Sequence, residues 1–403
     1  MKLSDVCEFI VDCPHSTAPD EGAGYPLIRT PNIGRGRLNL NGVHRVSEKI
    51  YLQRTQRGIP QKNDLILARE APAGNVAIIK NEGKVCLGQR TVLIRPLPDK
   101  ANPDYLTYYL LSPQQQYNLL GTANGATVAH VNLSTIRNLK IQLPPINIQC
   151  HIVDILSVYD DLIEVNQKQI RLLEEAARRL YREWFVDLRF PSHEDTPIID
   201  GIPAGWTSLA LSQIFDYTRG KSYSSEELSN TDGICLINLN NVNAWGGYKR
   251  GVEKRFTGTY SENHEVKSGD IIMAVTDMTQ ERRLVGHVAL VPVLAEKALI
   301  SMDLIKITPK EPVTHYFLYS MLRFSSIAEQ ISQYANGANV LHLRPENIAR
   351  LKAHIPSKSI MMRFEKIVAN YYAKIEPLEK QILLLQEARD RLLPKLMNGE
   401  IEV

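Results

Sequence analysis

The chain repeats itself. The stretch from Pro144 to Phe185 returns 212 residues later with no gap. Ile148, Ile155, Tyr159, Ile163, Glu164, Lys168, Gln169, Ile170, Leu172, Leu173, Glu175, Ala176, Arg179 and Leu180 have identical counterparts from Ile360 to Leu392. Within the first copy, Ile148, Ile152, Ile155, Tyr159 and Leu162 step by four and three, which predicts one apolar helical face with Asp154, Asp160 and Asp161 on the other. After a stutter through Asn166 and Ile170, the stripe resumes at Leu173, Ala177, Leu180 and Trp184. The second copy carries Ile360, Phe364, Ile367, Tyr371, Ile375, Leu378, Ile382, Leu385, Leu392 and Leu396 in matching places. Two helices of roughly forty residues, about 60 Å each, exceed what one small core can cover, so the simplest partner for each is the other. Pro377 stands inside the second helix, where the lost hydrogen bond predicts a kink.

The segments before each helix repeat more loosely. Leu27-Ile28 with Asn32-Ile33 return as Leu236-Ile237 with Asn241-Val242, Asp64 to Leu67 as Asp270 to Met273, and Gly74, Val76 and Ala77 as Gly286, Val288 and Ala289. Thr122 to His130 corresponds to Tyr334 to His342. Short β-like runs with Gly and Pro punctuation, followed by a helical piece, make each segment a mixed α/β domain. The plan is a domain over 1–143, a helix over 144–188, a proline-rich linker over 189–206, a second domain over 207–356, and a second helix with its tail over 357–403. The expected fold is therefore a duplicated mixed α+β architecture: two globular domains separated by two long antiparallel coiled-coil helices, related by a pseudo-two-fold.

Composition narrows the functional classes. Asp5, Glu8 and Asp12 interrupt the region where a secretory leader needs an apolar run, and no run is long enough to span a bilayer, so a cytoplasmic location without a membrane partner is expected. Five cysteines without a C-x2-C pair point to reduced, structural thiols. The net charge of +3 is unevenly spread: residues 1–145 hold 17 basic against 11 acidic side chains, and residues 146–200 hold 6 against 11. A basic first domain favours a polyanion, whereas the acidic helix face does not.

Catalytic signatures are missing. Gly220-Lys221-Ser222 resembles the end of a phosphate loop, but Phe215 occupies the position where that motif needs glycine. His130 and His342 recur without an acid at triad-like spacing and read as structural histidines, while the Asn-Gly pairs at Asn124 and Asn336 read as turns. No nucleophile, metal cluster or cofactor cradle emerges. What differs between the copies is the polar loops. Those of the first domain carry Arg29, Asn32, Arg35, Arg37, Arg69, Gln89 and Arg90, and those of the second carry Arg219, Lys221, Asn238, Asn240, Lys249, Arg250, Arg282 and Arg283. Arg pairs bidentately with guanine and Asn or Gln with adenine, so these are the side chains a double-stranded DNA reader needs, with Arg29 and Arg282 expected to read separate half-sites. Two such domains on a stiff rod would reach half-sites about one helical turn, roughly 34 Å, apart.

In this arrangement the chain resembles the specificity subunit of type I restriction-modification systems. The resemblance spans essentially the whole chain and rests on the duplicated plan, on Tyr25-Pro-Leu-Ile-Arg-Thr-Pro-Asn-Ile33 and Gly269-Asp-Ile-Ile272, on Asp160-Asp-Leu-Ile-Glu-Val-Asn-Gln167 and Leu173-Glu-Glu-Ala176, and on Leu392-Leu-Pro-Lys-Leu-Met-Asn-Gly-Glu-Ile401. It implies a non-catalytic subunit whose two target-recognition domains bind the halves of a bipartite, asymmetric site, with the helices as ruler. Two methyltransferase (modification) subunits using S-adenosylmethionine to methylate adenine would dock on it. Restriction subunits using ATP and Mg would join them, leaving this chain without a cofactor of its own. Trp184-Phe185 and the outer helix faces are candidate methylase contacts, and closure of the helix seam is the competing role for Trp184. The rival reading from another class is a helical protein-interaction scaffold with no nucleic-acid role. A self-contained restriction enzyme or methyltransferase is disfavoured by the missing motifs.

Overall fold

The computed structural model describes residues 1–40, 42–81, 83–121, 130–229 and 231–403. The chain divides into two compact units, Met1–Glu164 with Leu383–Val403, and Val165–Ile382. The turn expected at Asn124, and all of the Thr122 to His130 repeat except His130 itself, lie outside the described residues.

The first unit contains β1 (Cys7–Asp12), β2 (Tyr25–Ile28), β3 (Gly36–Arg37), β4 (Arg45–Val46), β5 (Leu65–Ala68), β6 (Val76–Ile78), β7 (Cys86–Leu87) and β8 (Thr91–Pro96). Its main sheet has the order β1-β8-β5-β6-β3, and β4-β2-β7 form a smaller one with β2 parallel to β7. Around them lie α1 (Glu48–Arg54), α2 (Pro103–Leu111), α3 (Pro113–Leu120), α4 (Leu133–Arg137) and the first part of α5 (Ile146–Tyr181).

The central strand explains this layering. In Leu65-Ile-Leu-Ala68 every side chain is apolar and buried, so both faces of the sheet must be covered. Leu65 and Leu67 face one core together with Val76, Ile78, Val92, Ile94, α2 and Ile152 and Leu156 of α5. Ile66 and Ala68 face another with Ile28, Ala77, Leu87 and Leu93. Asn102 caps α2, its side-chain oxygen accepting from the backbone N–H groups of Asp104 and Tyr105. Buried Gln149 of α5 then accepts from the Asn102 N–H at 2.9 Å and donates to the Pro144 carbonyl at 2.8 Å, locking the start of α5 to the start of α2.

The second unit opens with a short hairpin, β9 (Ile198–Ile199) and β10 (Ile202–Pro203), inside the stretch read as linker. Then come β11 (Thr207–Ala210), α6 (Leu211–Ile214), β12 (Phe215–Arg219), β13 (Leu228–Ser229), β14 (Ile234–Ile237), β15 (Lys254–Phe256), β16 (Glu265–Val266), β17 (Ile271–Ala274), β18 (Thr276–Asp277), β19 (Val288–Leu290), β20 (Ala298–Ile300) and β21 (Leu304–Pro309). It continues with α7 (His315–Phe324), α8 (Ile327–Ser332), β22 (Leu341–His342), β23 (Lys352–Ile355) and α9 (Lys358–Met397). The sheet β12-β21-β17-β19 reproduces β1-β8-β5-β6, and the parallel pair β14 and β20 reproduces β2 and β7. Ile271 and Met273 of the central strand face one core and Ile272 and Ala274 the other, the same division as in the first unit. Here Glu365 of α9 does the capping, its carboxylate accepting from the Tyr316 and Phe317 N–H groups at the start of α7.

Within each unit the long helices pack antiparallel. In the first, Ile152 and Leu156 of α5 share a core with Leu393 and Leu396 of α9. In the second, Asn166 donates to Gln381, while Ala177, Tyr181 and Trp184 meet Met361, Phe364 and Val368. The inward face of α5 keeps Ile152, Asn166, Ala177 and Trp184 of the expected stripe but elsewhere takes the next residue along, leaving Ile170 and Leu173 half-buried. Gln149, Leu156, Asp160, Ile163 and Tyr181 are buried, whereas Leu162, assigned to the seam, is 45% exposed, and Ile148, Ile155, Tyr159 and Leu180 are half-buried. Asp160, expected on the outer face, is 4% exposed. It faces inward because its charge is compensated there: Arg389 of α9 donates to it at 2.6 Å and the Tyr108 hydroxyl at 2.6 Å. On α9, Ile360, Ile367, Tyr371, Leu378, Ile382, Leu385 and Leu392 are half-buried beside buried Phe364, and helix continues through Pro377 to Met397.

α5 ends in a π-helical turn, Arg182–Val186. Widening the helix there directs two consecutive aromatics inward. Phe185 lies 5.0 Å from both Phe317 and Phe364, and Trp184 lies 6.1 Å from Phe364. Trp184 therefore closes the core of the second unit. The five cysteines are unpaired thiols, and burial pushes Cys7 and Cys235 up to about 12 and Cys86 up to about 11, which keeps them unreactive. Gly220 lies where a Cβ would collide with the Ser301 carbonyl, and Lys221 makes an isolated bridge to Ser301, so the start of Gly220-Lys221-Ser222 is packed against Ser301 just after β12.

Asp160→Ala leaves Arg389 without its buried partner and is expected to lower unfolding stability by about 3–5 kcal/mol, whereas Asp160→Leu combined with Arg389→Met restores most of it. Denaturant titration of the single and double variants measures the difference. Trp184→Ala opens a cavity in the second core and is expected to cost about 3–5 kcal/mol by the same measurement.

Candidate nucleic-acid interface

The turn after β2 shows how the fold places polar side chains. Asn32 is buried; its side-chain oxygen accepts from the Arg29 N–H at 3.0 Å and its amide donates to the Asn39 carbonyl at 3.1 Å. Asn241, its repeat counterpart, makes the same two bonds with the Asn238 N–H and the Lys249 carbonyl. Asn32 is thus a turn-forming residue rather than an exposed base reader. Asn238 is likewise buried, accepting from the N–H of exposed Asn240.

Several cations proposed as readers are engaged inside their own unit. Arg37 pairs with Asp161 at 3.2 Å and Asp104 at 3.8 Å. Arg69 is buried, donating to the Val131 carbonyl and to His130, both at 2.8 Å. Arg250 pairs with Glu379 of α9 at 2.5 Å and donates to the Val293 carbonyl. Arg282 donates to the carbonyls of Ser332, the last residue of α8, and Ala335, so the role expected for it at a base is replaced by loop anchoring. Arg219 and the Tyr217 hydroxyl donate to Glu346, and the Tyr217 hydroxyl and the guanidinium hold that carboxyl down to about 2. Lys221 sits 5.8 Å over the Phe256 ring. Gln89 donates to the His15 carbonyl, and Arg29 is half-buried in the turn. The exposed cations of the set are Arg35, Arg90, Arg219, Lys249, Arg250 and Arg283, with Arg35 donating to the Leu111 carbonyl and Arg283 pairing with its neighbour Glu281 at 2.6 Å.

Around Arg90 the first unit assembles a cluster that spacing alone did not suggest. Arg90 adopts a left-handed backbone, φ +65°, and pairs with Glu70 at 2.9 Å. Glu70 also bonds His130 Nδ1 at 2.5 Å, and Arg69 reaches the other ring nitrogen. Asp12 joins with His15 at 3.0 Å and with Arg57. His130, read as a structural histidine without an acid at triad-like spacing, is clamped between an arginine and a carboxylate that come from elsewhere in the chain. Its ring is fixed with Nδ1 donating to Glu70 and Nε2 accepting from Arg69. Arg90, Arg57 and His15 line the solvent side.

In the second unit the corresponding position is a loop. Asp64 and Asp270 are 206 residues apart, but Gly74 and Gly286 are 212 apart, so six residues are inserted between β17 and β19 relative to β5 and β6. That change of offset was readable in the sequence. The loop is organised by Asp277, which is fully buried and accepts from the N–H groups of Thr279, Leu284 and Val285. Burial acts to raise its pKa, yet the bonds from Leu284 and Thr279 hold the carboxyl below its ordinary value.

Among the described residues no cluster of three metal-binding side chains forms, and no helix is long and apolar enough to cross a membrane. The geometry supplies polar and cationic loops on two copies of one scaffold, an arrangement suited to binding.

Comparison with known proteins agrees with the duplication. A family model described as the type I restriction modification DNA specificity domain matches twice, at residues 1–175 and 203–386. The MjaIX specificity subunit of Methanocaldococcus jannaschii is 28% identical over 97% of this chain and 87% of its own. The HindI specificity subunit of Haemophilus influenzae is 21% identical over 85% of this chain and 87% of its own. Among solved structures, the type I restriction-modification S subunit from M. genitalium superposes with a TM-score of 0.52 at 18% identity, covering 98% of this chain and 95% of that one. Two matches to one domain model, falling on the two halves of a duplicated fold, show that this chain belongs to the type I restriction-modification DNA specificity family.

Proposed function

We propose that this chain reads a bipartite, asymmetric DNA site, one half with each globular domain, and gives a multisubunit enzyme its sequence preference while doing no bond chemistry itself. The observation that carries this is the contrast between scaffold and loops. The central strands β5 and β17 are buried at every residue within sheets of the same strand order, while the solvent-facing chemistry beside them differs: an Arg-Glu-His cluster in one domain, a six-residue insertion in the other. Two unlike readers on one framework suit a target whose halves differ. α5 and α9 each contribute to the core of both units, so they are suited to act as the spacer between readers.

Two adenine methyltransferase subunits supplied with S-adenosylmethionine, and restriction subunits using ATP and Mg, would assemble on this chain and provide the chemistry. Base reading in the first domain centres on Arg90 and its neighbours Arg57 and His15. The cations engaged internally, Arg37, Arg250 and Arg282, serve the framework.

Arg90→Ala is expected to relax base preference in one half-site by about 1–3 kcal/mol while leaving the other half and the fold intact. Sequencing-based mapping of adenine methylation in cells carrying the variant reads this directly. Equal loss in both halves would remove Arg90 from the reading role. DNA binding by the assembled enzyme is also expected to fall steeply with salt, on the order of a thousand-fold between ~50 and ~200 mM if about six phosphates are contacted. Salt-insensitive assembly without sequence preference in a shift assay would favour the protein-interaction scaffold instead.

A further inference from the structure

The inserted segment between Asp277 and Leu284 is more constrained than a solvent loop needs to be. One Asp277 oxygen accepts from the Thr279 N–H and hydroxyl, both at 2.8 Å, and the other from the Leu284 N–H at 2.6 Å and the Val285 N–H at 3.2 Å. A single buried carboxylate therefore ties both ends of the loop together. Gln280 donates to the Ala338 carbonyl and Arg282 to Ser332 and Ala335, adding two lateral braces. Behind it, Gly286 has φ +83° and approaches the Ala328 carbonyl so closely that a Cβ would stand 2.9 Å away, so the loop is seated against the end of α8.

What this framework presents outward is chemically unusual. Met278 is 72% exposed. Trp245, 52% exposed and left-handed at φ +65°, is held beside the loop by its N–H bond to the Arg283 carbonyl at 2.7 Å, by Arg323 donating to its own carbonyl, and by edge contact with His287. Arg283 ends in solvent, in an exposed pair with Glu281 that a stronger anionic or hydrogen-bonding partner can replace. Ordering a loop and leaving a methionine and a tryptophan in water is unfavourable for the free chain, so the surface is built for a partner.

We propose that the loop Met278 to Arg283 is the base-reading element of the second domain, with Asp277 as its positioning residue. This rests on the DNA-reading function proposed above. The occupant is duplex DNA because the loop is an insertion at the place where the first domain carries its arginine and histidine cluster, at the end of equivalent strands. Arg283 supplies a fork for guanine O6 and N7, and Met278 an apolar contact for a thymine methyl or a wedge at a base step. The first domain, lacking the six residues, must read by different chemistry.

The test uses the full chain in cells with its partner subunits, read by mapping adenine methylation, with chain abundance and melting temperature followed in parallel. Met278→Ala and Arg283→Gln, both at exposed positions, are expected to relax preference on the order of 10- to 100-fold at bases in the half-site that Arg90→Ala leaves unchanged. Asp277→Asn is expected to relax the same bases, with Asp277→Glu restoring part of the preference. An unchanged motif in the Met278 and Arg283 variants overturns the loop as reader. A lower melting temperature with an unchanged motif in Asp277→Asn overturns the positioning role. If deleting the wild-type chain leaves the methylation pattern intact, the DNA-reading function itself fails, an outcome distinct from failure of the loop alone.

Discussion

A helix that belongs to two cores cannot be adjusted for one of them alone. α5 gives Ile152 and Leu156 to the first core and Ala177, Tyr181 and Trp184 to the second, and α9 does the reverse with Phe364 and Val368 and then Leu393 and Leu396. Each helix far exceeds the usual 10 to 14 residues of a core helix, and its length is sustained by packing at both ends. The seam between them carries the register. Asp160 against Arg389 is a buried ionic contact that a slipped helix would leave uncompensated, and its repeat counterparts are Tyr372 and Ala177, an aromatic ring and a methyl group. The two ends of the seam are therefore chemically unlike, although the sequences that form them descend from one pattern.

The same logic of common frame and divergent detail runs through the globular parts. Burial of β5 and β17 on both faces leaves little freedom in their side chains, so both copies keep small sets of Leu, Ile, Met and Ala there. Turn devices repeat as well: Asn32 and Asn241 close equivalent turns through identical bonds. One place of divergence is where the sheet ends and solvent begins, at Glu70 to Gly74 in one copy and at Thr276 to Gly286 in the other. Loops supported by a rigid frame are where binding specificity can change without refolding.

Electrostatics separates the cations into two populations that composition cannot distinguish. Arg37, Arg69, Arg250 and Arg282 meet carboxylates or carbonyls within their own unit and hold loops to helices. Arg283 keeps its charge at the surface in an exposed pair, where Coulomb attraction is weak and exchange with a phosphate or a base edge costs little, and Arg90 is exposed beside a largely covered Glu70 that it shares with His130. The planar fork of arginine serves both purposes, so the residue type signals neither one by itself.

Periodicity and self-similarity were enough to establish the duplication, the two long helices and the mixed sheet domains, because these depend on where apolar side chains recur along the chain. The quoted motifs pointed to the family for the same reason: Asp160 to Gln167 lies on α5, and Leu392 to Ile401 covers the end of α9 and the residues just after it. That pattern placed Ile152, Ala177 and Trp184 of α5 inward but not Asp160. Ile155 and Leu162 are as apolar as Leu156 and Ile163, and the choice was made by Arg389 and Tyr108, which lie far away in sequence and make an aspartate the better buried residue. Tertiary structure likewise decided which basic and amide side chains face solvent. Whether Arg282 faces solvent or the carbonyls at the end of α8, and whether His130 has an acid beside it, depends on loops brought together only when the sheet has formed.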